Sequence, residues 1–419
     1  MKRLYSFLFT WCLLLPLYAQ LPLYSTVSYE VEPNKEYIWQ LGGTVTSLSI
    51  EFAPGTNLSG CRLLLNNGKA IGLQADSHQE RYASQLIVLD SPQERIHFVS
   101  GAVAGKITLH LLSVPRLPDA NKWWEYEPVP FREENVCEKP PVIPAAQWRA
   151  GLPPPRNPPE GTQVRFIIIH HEAGSNSPRD FTEAVRNIYI FHTQSNGWND
   201  IGYNFVVAQN GVIFEGRDGQ GRMDGDNVLG AHFCGKNGNT MGICLLGNYM
   251  TAEAPQAALL SLHRLIAWKM EKENLLNPFA RAVHLPGTSL QSTIGVISGH
   301  RDGCSTDCPG ENLYRRLDEI RRNVQNACSV LAANHRPIAG KDITVYPSPA
   351  SERVRIVVPA GSIGRLSIIA ADGKEVAQFQ ADTHSNTIQW NTSSMSRGLY
   401  ICRFITSSGD MISKKIVLE

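Results

Sequence analysis

The sequence predicts a multi-domain chain. A central α/β unit, a mixed sheet covered by helices, is flanked by all-β sandwich domains at its N-terminal and C-terminal ends. Three observations lead there. The length of 419 residues calls for roughly two to three domains. Apolar residues recur at helical spacing only between about residues 164 and 328, whereas short β-type runs broken by Gly, Pro and Asn turns fill the stretches before and after. A proline-rich segment, 116-160, separates the first β region from the centre. With 42% hydrophobic and 18% charged residues, a formal charge of +1 and no basic stretch, the chain gives no reason to expect nucleic acid as a partner.

Residues 1-19 form a secretory signal: Lys2 and Arg3 precede an apolar run from Phe7 to Leu17, and Tyr18-Ala19-Gln20 supplies a cleavage site after Ala19. That run is short for a bilayer, and no later segment holds about 20 consecutive apolar residues, so no transmembrane span is expected. In 20-115 the runs Tyr37-Ile38-Trp39, Val45 to Phe52, Gln85 to Leu89 and Lys106 to Leu112 predict a small β-sandwich of unassigned role. The connector 116-160 carries Trp123, Trp124 and Trp148, which implies that part of it packs against a domain.

In 161-330, Val164 to Ile169 is a near-continuous apolar run, the mark of a buried central strand. Ser177-Pro178 then offers an N-cap and a first-turn proline, with Phe181, Ala184, Val185, Ile188 and His192 following at helical spacing. Asn210-Gly211 between Tyr203 to Val207 and Val212 to Glu215 signals a hairpin. Met241 to Leu246 reads as a second buried strand. Leu259, Leu262, Ile266 and Met270 line another helix, and Leu313, Leu317, Ile320 and Val324 a third. In 341-419 the strand candidates are Val354 to Val358, Arg365 to Ile369, Glu375 to Phe379, Thr387 to Trp390, Tyr400 to Ile405 and Lys414 to Leu418, with turns at Asp372-Gly373 and Ser408-Gly409-Asp410.

The chemistry-bearing residues lie in the central unit. His170-His171 closes the apolar run, and His300-Arg301-Asp302 stands eight residues ahead of Cys308. Imidazole and thiolate are zinc ligands, and two histidines with one cysteine leave a fourth tetrahedral position for water, as in catalytic sites. Taken singly, a histidine pair after a strand reads as structural, and a cysteine in an exported chain reads as half a disulfide. Together they point to Zn²⁺. Of the nine cysteines, Cys12 leaves with the signal and Cys308 is reserved for metal, so an odd number remains. Cys234 with Cys244, and Cys137 with Cys328, are conceivable bridges in an oxidising compartment.

A family resemblance rests on strings that occur in order: Ile168-Ile169-His170-His171-Glu172-Ala173-Gly174, Gly197-Trp198-Asn199-Asp200-Ile201-Gly202-Tyr203-Asn204-Phe205, Phe214-Glu215-Gly216-Arg217, Gly230-Ala231-His232, Gly242 to Tyr249 and Gly299-His300-Arg301-Asp302. From Ile143 to Cys328 the chain resembles the peptidoglycan recognition proteins and type-2 N-acetylmuramoyl-L-alanine amidases. The resemblance implies an amidase-2-like centre with His170, His300 and Cys308 as zinc ligands. His170 is taken over His171 because the family's ligand directly ends the strand. It implies Tyr203 as the catalytic tyrosine and Thr306 as a polar contact near the metal. The implied activity is hydrolysis of the lactyl–L-alanine amide between glycan and stem peptide of peptidoglycan. Members lacking the cysteine bind peptidoglycan without cutting it, so a non-catalytic recognition protein is the alternative, and Cys308 favours the enzyme. No HExxH string supports a zinc peptidase.

Glu172 stands where many relatives have Thr or Ser, either as an extra base or as groove lining. Asp302 reads as an acceptor for an imidazole N–H behind the metal or as a surface ion-pair partner. His232 reads as a substrate contact or a structural histidine, while His192 and Glu215 read as structural. Between Arg217 and Gly230 the stem-sorting residues of the family are not recognisable, and Arg222 is a candidate contact to a diaminopimelate carboxylate.

Finally, Tyr346-Pro347-Ser348-Pro349-Ala350, Gly398-Leu399-Tyr400 and Lys414-Lys415-Ile416-Val417 resemble the C-terminal sorting domain of the type IX secretion system, over about Lys341 to Glu419. An immunoglobulin-like wall-binding module is the other reading. The resemblance implies the type IX secretion machinery as a partner beside peptidoglycan or muropeptides. It also implies transit through the periplasm to the cell surface or exterior of a Gram-negative bacterium. Oligomeric state is not legible.

Overall fold

The computed structural model describes residues 22–66, 68–76, 81–117, 138–176, 180–332, 343–359, 363–370, 375–381, 386–406 and 411–419. The signal segment, Trp123, Trp124, Cys137, Ser177-Pro178 and the turns at Asp372-Gly373 and Ser408-Gly409-Asp410 fall outside them.

In the N-terminal region β1 (Tyr24–Val31), β2 (Glu36–Glu51), β3 (Arg62–Leu64), β4 (Ala70–Gly72), β5 (Ile87–Val99) and β6 (Gly105–Leu112) form one antiparallel sheet in the order β1-β6-β2-β5-β3-β4. Two runs read separately, Tyr37 to Trp39 and Val45 to Phe52, fall in the single long β2 except for Phe52, which follows its end. The strand continues through register shifts around Gly42, whose φ of +74° a side chain would oppose. Alternate residues such as Leu48, Ile50, Phe98 and Leu109 fill the core beneath the sheet.

The central region holds α1 (Ala145–Trp148), β7 (Phe166–His171), α2 (Phe181–Ile190), β8 (Phe205–Val207), β9 (Ile213–Glu215), β10 (Thr240–Leu245), α3 (Gln256–Lys272), β11 (Arg281–His284), β12 (Ser292–Gly295), β13 (Ile297–Gly299), α4 (Glu311–Arg315) and α5 (Leu317–Ala332). Its main sheet runs β13-β7-β10-β8-β9, parallel except for the β8–β9 hairpin. β7 and β10 are buried along their whole length, as the apolar runs predict. Pleating sends Ile167, Ile169, Ile243 and Leu245 to the face covered by α3 and α5. Val206, Cys244 and Leu246 go to the opposite face, packed with α2. α2 starts at Phe181, where the Asp180 side chain accepts the Glu183 N–H at 3.1 Å.

The end of the proline-rich segment belongs to this core. Ile143 N–H donates to Ile213 O at 2.8 Å, and buried Trp148 donates its Nε1–H to Glu215 O at 2.7 Å. The N-terminal sheet packs on α2. Thr46 and Ser47 hydroxyls donate to Asn187 Oδ1 at 2.8 and 2.7 Å, and Leu86, Leu112 and Val114 share a core with Trp148 and Tyr189.

At the C-terminal end, β14 (Thr344–Tyr346), β15 (Arg353–Val357) and β18 (Thr387–Asn391) form one sheet, ordered β14-β15-β18. β16 (Gly364–Ala370), β17 (Glu375–Ala381), β19 (Gly398–Thr406) and β20 (Met411–Leu418) form another, ordered β17-β16-β19-β20. Val354, Ile356, Leu366, Ile368, Trp390 and Tyr400 from both sheets join one core. Among the described residues no helix is long and apolar enough to cross a membrane.

Candidate metal centre

β7 and β13 are adjacent parallel strands, and their carboxyl ends bring His170 and His300 together. The pleat decides between the two consecutive histidines. His171 points to the α3/α5 face and accepts the Tyr249 N–H on Nδ1 at 3.2 Å. His170 points to the other face, where its Nδ1 lies 3.6 Å from Cys308 Sγ. The segment from His300 to Cys308 forms a closed loop. Arg301 N–H donates to Cys308 O at 3.0 Å, and the Arg301 guanidinium binds Asp307 O at 2.7 Å and Glu311 at 2.8 Å. The ligand atoms of His170, His300 and Cys308 all lie within 4.8 Å of one another, and all three residues are buried. Two imidazoles and a thiol in that spacing fit the donor set of a zinc ion.

His232 supports this cluster. His170 Nε2 lies 3.0 Å from His232 Nδ1, and His232 Nε2 lies 3.1 Å from Thr240 Oγ1, whose hydroxyl donates to Asn237 O at 2.8 Å. Burial, with the Arg217 and His284 charges, lowers the His232 pKa to about 3, so the ring is neutral. Thr240 spends its proton on Asn237 and therefore takes the His232 Nε2–H. His232 Nδ1 then accepts from His170 Nε2–H, which leaves the His170 lone pair on Nδ1, the nitrogen facing Cys308. The ring fits because Gly230 and Gly242 have no side chain: a Cβ there would meet His232 at 2.5 and 2.6 Å.

Tyr203 precedes β8, with its ring 5.2 Å from that of His170 and 5.7 Å from that of His192. Neighbours on both sides fix it. Asn204 exchanges bonds with Gly242, with its N–H and Oδ1 each at 2.9 Å from their partners, and Arg217 N–H donates to Tyr203 O at 2.9 Å. Burial, then Cys244, Cys308 and Asp76, push the Tyr203 pKa well above its ordinary value, so the hydroxyl keeps its proton.

The remaining sequence candidates separate. Thr306 Oγ1 accepts the Cys308 N–H at 3.1 Å and so shapes the turn that presents the thiol. Glu172 turns its carboxylate to the Gly247 N–H at 3.0 Å and is not among the clustered ligands. Asp302 takes neither role anticipated for it. Its two oxygens accept the Gly299 N–H at 2.9 Å and the Tyr314 O–H at 2.6 Å, because the tight turn after β13 aims the side chain back along the chain. His192 holds the Gly202 N–H at 3.1 Å and Glu215 the Ala145 N–H at 2.9 Å, both structural as read. Arg222 is exposed.

The Cys234–Cys244 bridge is overturned. Cys244 lies inside β10 with its side chain inward against Tyr203, whereas Cys234 bonds to Cys304. The two cysteines flank a turn-rich stretch, but a residue buried inside the strand that follows cannot reach back to the loop before it. The Cys137–Cys328 pair lies outside the described side chains.

A model of the N-acetylmuramoyl-L-alanine amidase family matches residues 160–311. Peptidoglycan recognition protein 1 of Bos taurus is 32% identical over 160 residues, which span 37% of this chain and 72% of that protein. The chain belongs to this family. The N-acetylmuramoyl-L-alanine amidase of Homo sapiens is 31% identical over 184 residues, 42% of this chain and 28% of that protein. Among solved structures, wild-type Drosophila PGRP-LB is 28% identical over 42% of this chain and 92% of its own, with a TM-score of 0.33. Residues 344–419 match a secretion system C-terminal sorting domain, which the amidase-family chain therefore carries behind its centre. A sorting domain of that kind implies secretion.

Proposed function

We propose that the chain is a zinc-dependent N-acetylmuramoyl-L-alanine amidase that hydrolyses the lactyl–L-alanine amide of peptidoglycan. One observation carries the reading: His170, His300 and Cys308, buried and within 4.8 Å of one another, sit beside Tyr203. Those three residues would hold a zinc ion, which when bound would supply Lewis acidity toward the amide carbonyl and toward water. The chain's own side chains do the rest. His232 fixes the His170 tautomer, and Thr306 holds the backbone that aims Cys308. The Tyr203 O–H, still protonated, donates a hydrogen bond to the carbonyl oxygen as negative charge builds there. Glu172 orders the Gly247 loop by accepting its N–H.

The wider organisation belongs to the same proposal. A signal (1-19) and a connector (116-160) join an N-terminal β-sheet domain (20-115), the amidase domain (161-330) and a C-terminal sorting sandwich (341-419). The one core shared by the two C-terminal sheets supports the sandwich reading there, whereas the N-terminal strands, expected as a sandwich, form a single six-stranded sheet over their own core. Type IX export then delivers the enzyme through the periplasm to the cell surface or exterior, where it meets peptidoglycan or muropeptides. Mass spectrometry of purified muropeptides after incubation tests the activity. Peptides with a free L-alanine amine are the expected product. Intact muropeptides retained on a protein that contains zinc would favour the non-catalytic recognition reading.

A further inference from the structure

The Cys234–Cys304 disulfide lies against the candidate metal centre. The ligand atoms of Cys234, Cys304 and His300 all lie within 4.8 Å of one another, so His300 stands between two sets of donors. We propose that these three residues form a second, thiol-dependent metal site, open only when the disulfide is reduced. It competes with His170, His300 and Cys308 for the shared histidine. The competition rests on the zinc reading given above; the second site itself does not.

Both half-cystines are held by bonds other than the disulfide. Cys304 N–H donates to His300 O at 3.2 Å, and Gly303 N–H to the same oxygen at 3.3 Å. On the facing loop, Asn237 Oδ1 accepts the His232 and Phe233 N–H groups at 2.8 and 2.9 Å, and Lys236 Nζ reaches across to Gly303 O at 2.8 Å. Gly303 lies on the Phe233 ring so closely that a Cβ would meet it at 2.3 Å. Reduction therefore leaves two thiols beside His300 rather than two separated loops.

The chemistry then favours the new set. A dithiol passes two electrons and two protons to the pair and is itself oxidised to its disulfide. Metal binding releases those two protons as both sulfurs become thiolates. Two thiolates and an imidazole leave a divalent zinc formally neutral, against a charge of about +1 with one thiolate and two imidazoles. The reduced site holds the ion firmly and acidifies water poorly. Cys234 is exposed and Cys304 half-buried, so reductant and ion both have access, whereas the other three ligands are buried. An oxidising exterior closes this trap and confines zinc to the catalytic set.

Cobalt(II) titration of the full chain reports thiolate ligation directly through its sulfur-to-metal charge-transfer absorption. A phosphine is the reductant, taking oxygen from water and adding no competing thiol. In Cys308→Ser the band should be absent while the disulfide stands and appear on reduction. It should vanish again in reduced Cys234→Ser/Cys304→Ser/Cys308→Ser. In wild type the band per bound cobalt should rise about twofold on reduction. A reduced Cys308→Ser protein without the band, or a triple variant that keeps it, overturns the second site. An otherwise wild-type Cys234→Ser/Cys304→Ser chain should keep its near-ultraviolet dichroism and a single-thiolate band insensitive to phosphine. Unfolding of that chain would overturn the claim that the loops hold without the disulfide. Absence of any band in oxidised wild type would instead sink the first site and leave the second standing.

Discussion

The Tyr203 hydroxyl is a proton donor without a competing ionised form, so Tyr203→Phe removes one hydrogen bond and leaves the ring packed. The expected loss in kcat is about 10²–10³ with zinc content unchanged, read by turnover and metal analysis together. His232→Ala acts differently: it frees the His170 ring to rotate and should weaken zinc affinity about 10–100-fold in a competitive chelator titration. Buried His263 has its pKa lowered from 6.5 to about 4 by burial, assisted by the Arg316 charge and opposed by Glu319. The unfolded chain therefore binds more protons between those values, and stability falls as pH drops from 6.5 toward about 4. His263→Leu should flatten that part of the profile of unfolding free energy against pH, by on the order of 3 kcal/mol. That His170, His300 and Cys308 come together was legible because a strand end and a short loop each leave a local signature. His232 as the partner of His170, and Cys244 beside Tyr203, were not. Those contacts join strand and loop residues far apart in sequence, and nothing at His232 or Cys244 itself announces its neighbour.

Strands and helices were legible where one face is buried. The runs through β7, β10 and the C-terminal strands appear with ends shifted by at most a few residues, for example Glu375 to Phe379 extended to Ala381. Short edge pieces such as β3 and β4 escaped because three residues set no period. Helix α3 is tied down by a device that periodicity also hides. Lys269, fully buried, donates to Asp226, Asn227 and Glu273, and Lys272 adds contacts to Asp224 and Asp226. Lys269→Met strands the buried Asp226 carboxylate and should cost about 3–5 kcal/mol in urea unfolding, with the secondary structure of the folded state unchanged. A cost within error of zero would show that Lys272 alone satisfies Asp226.

Across the whole molecule, the N-terminal sheet and the central unit share apolar surface. Leu86, Leu112 and Val114 lie in the same core as Trp148 and Tyr189, and the Arg186 guanidinium binds Pro115 O at 2.7 Å and Trp148 O at 2.6 Å. A chain cut after residue 115 should expose that face and lose stability or solubility, seen as a lowered Tm or increased binding of an apolar dye. Sequence alone suggested three units joined by a proline-rich segment. The shared core was invisible because each partner contributes ordinary apolar residues that also suit a separate sheet or helix. The most direct measurement is the release of free L-alanine amines from muropeptides by one preparation, assayed as purified, after chelation, and after zinc is restored. The account predicts activity, its loss, and its return, with Cys308→Ala inactive throughout. Turnover that survives chelation, or that Cys308→Ala retains in full, would contradict it.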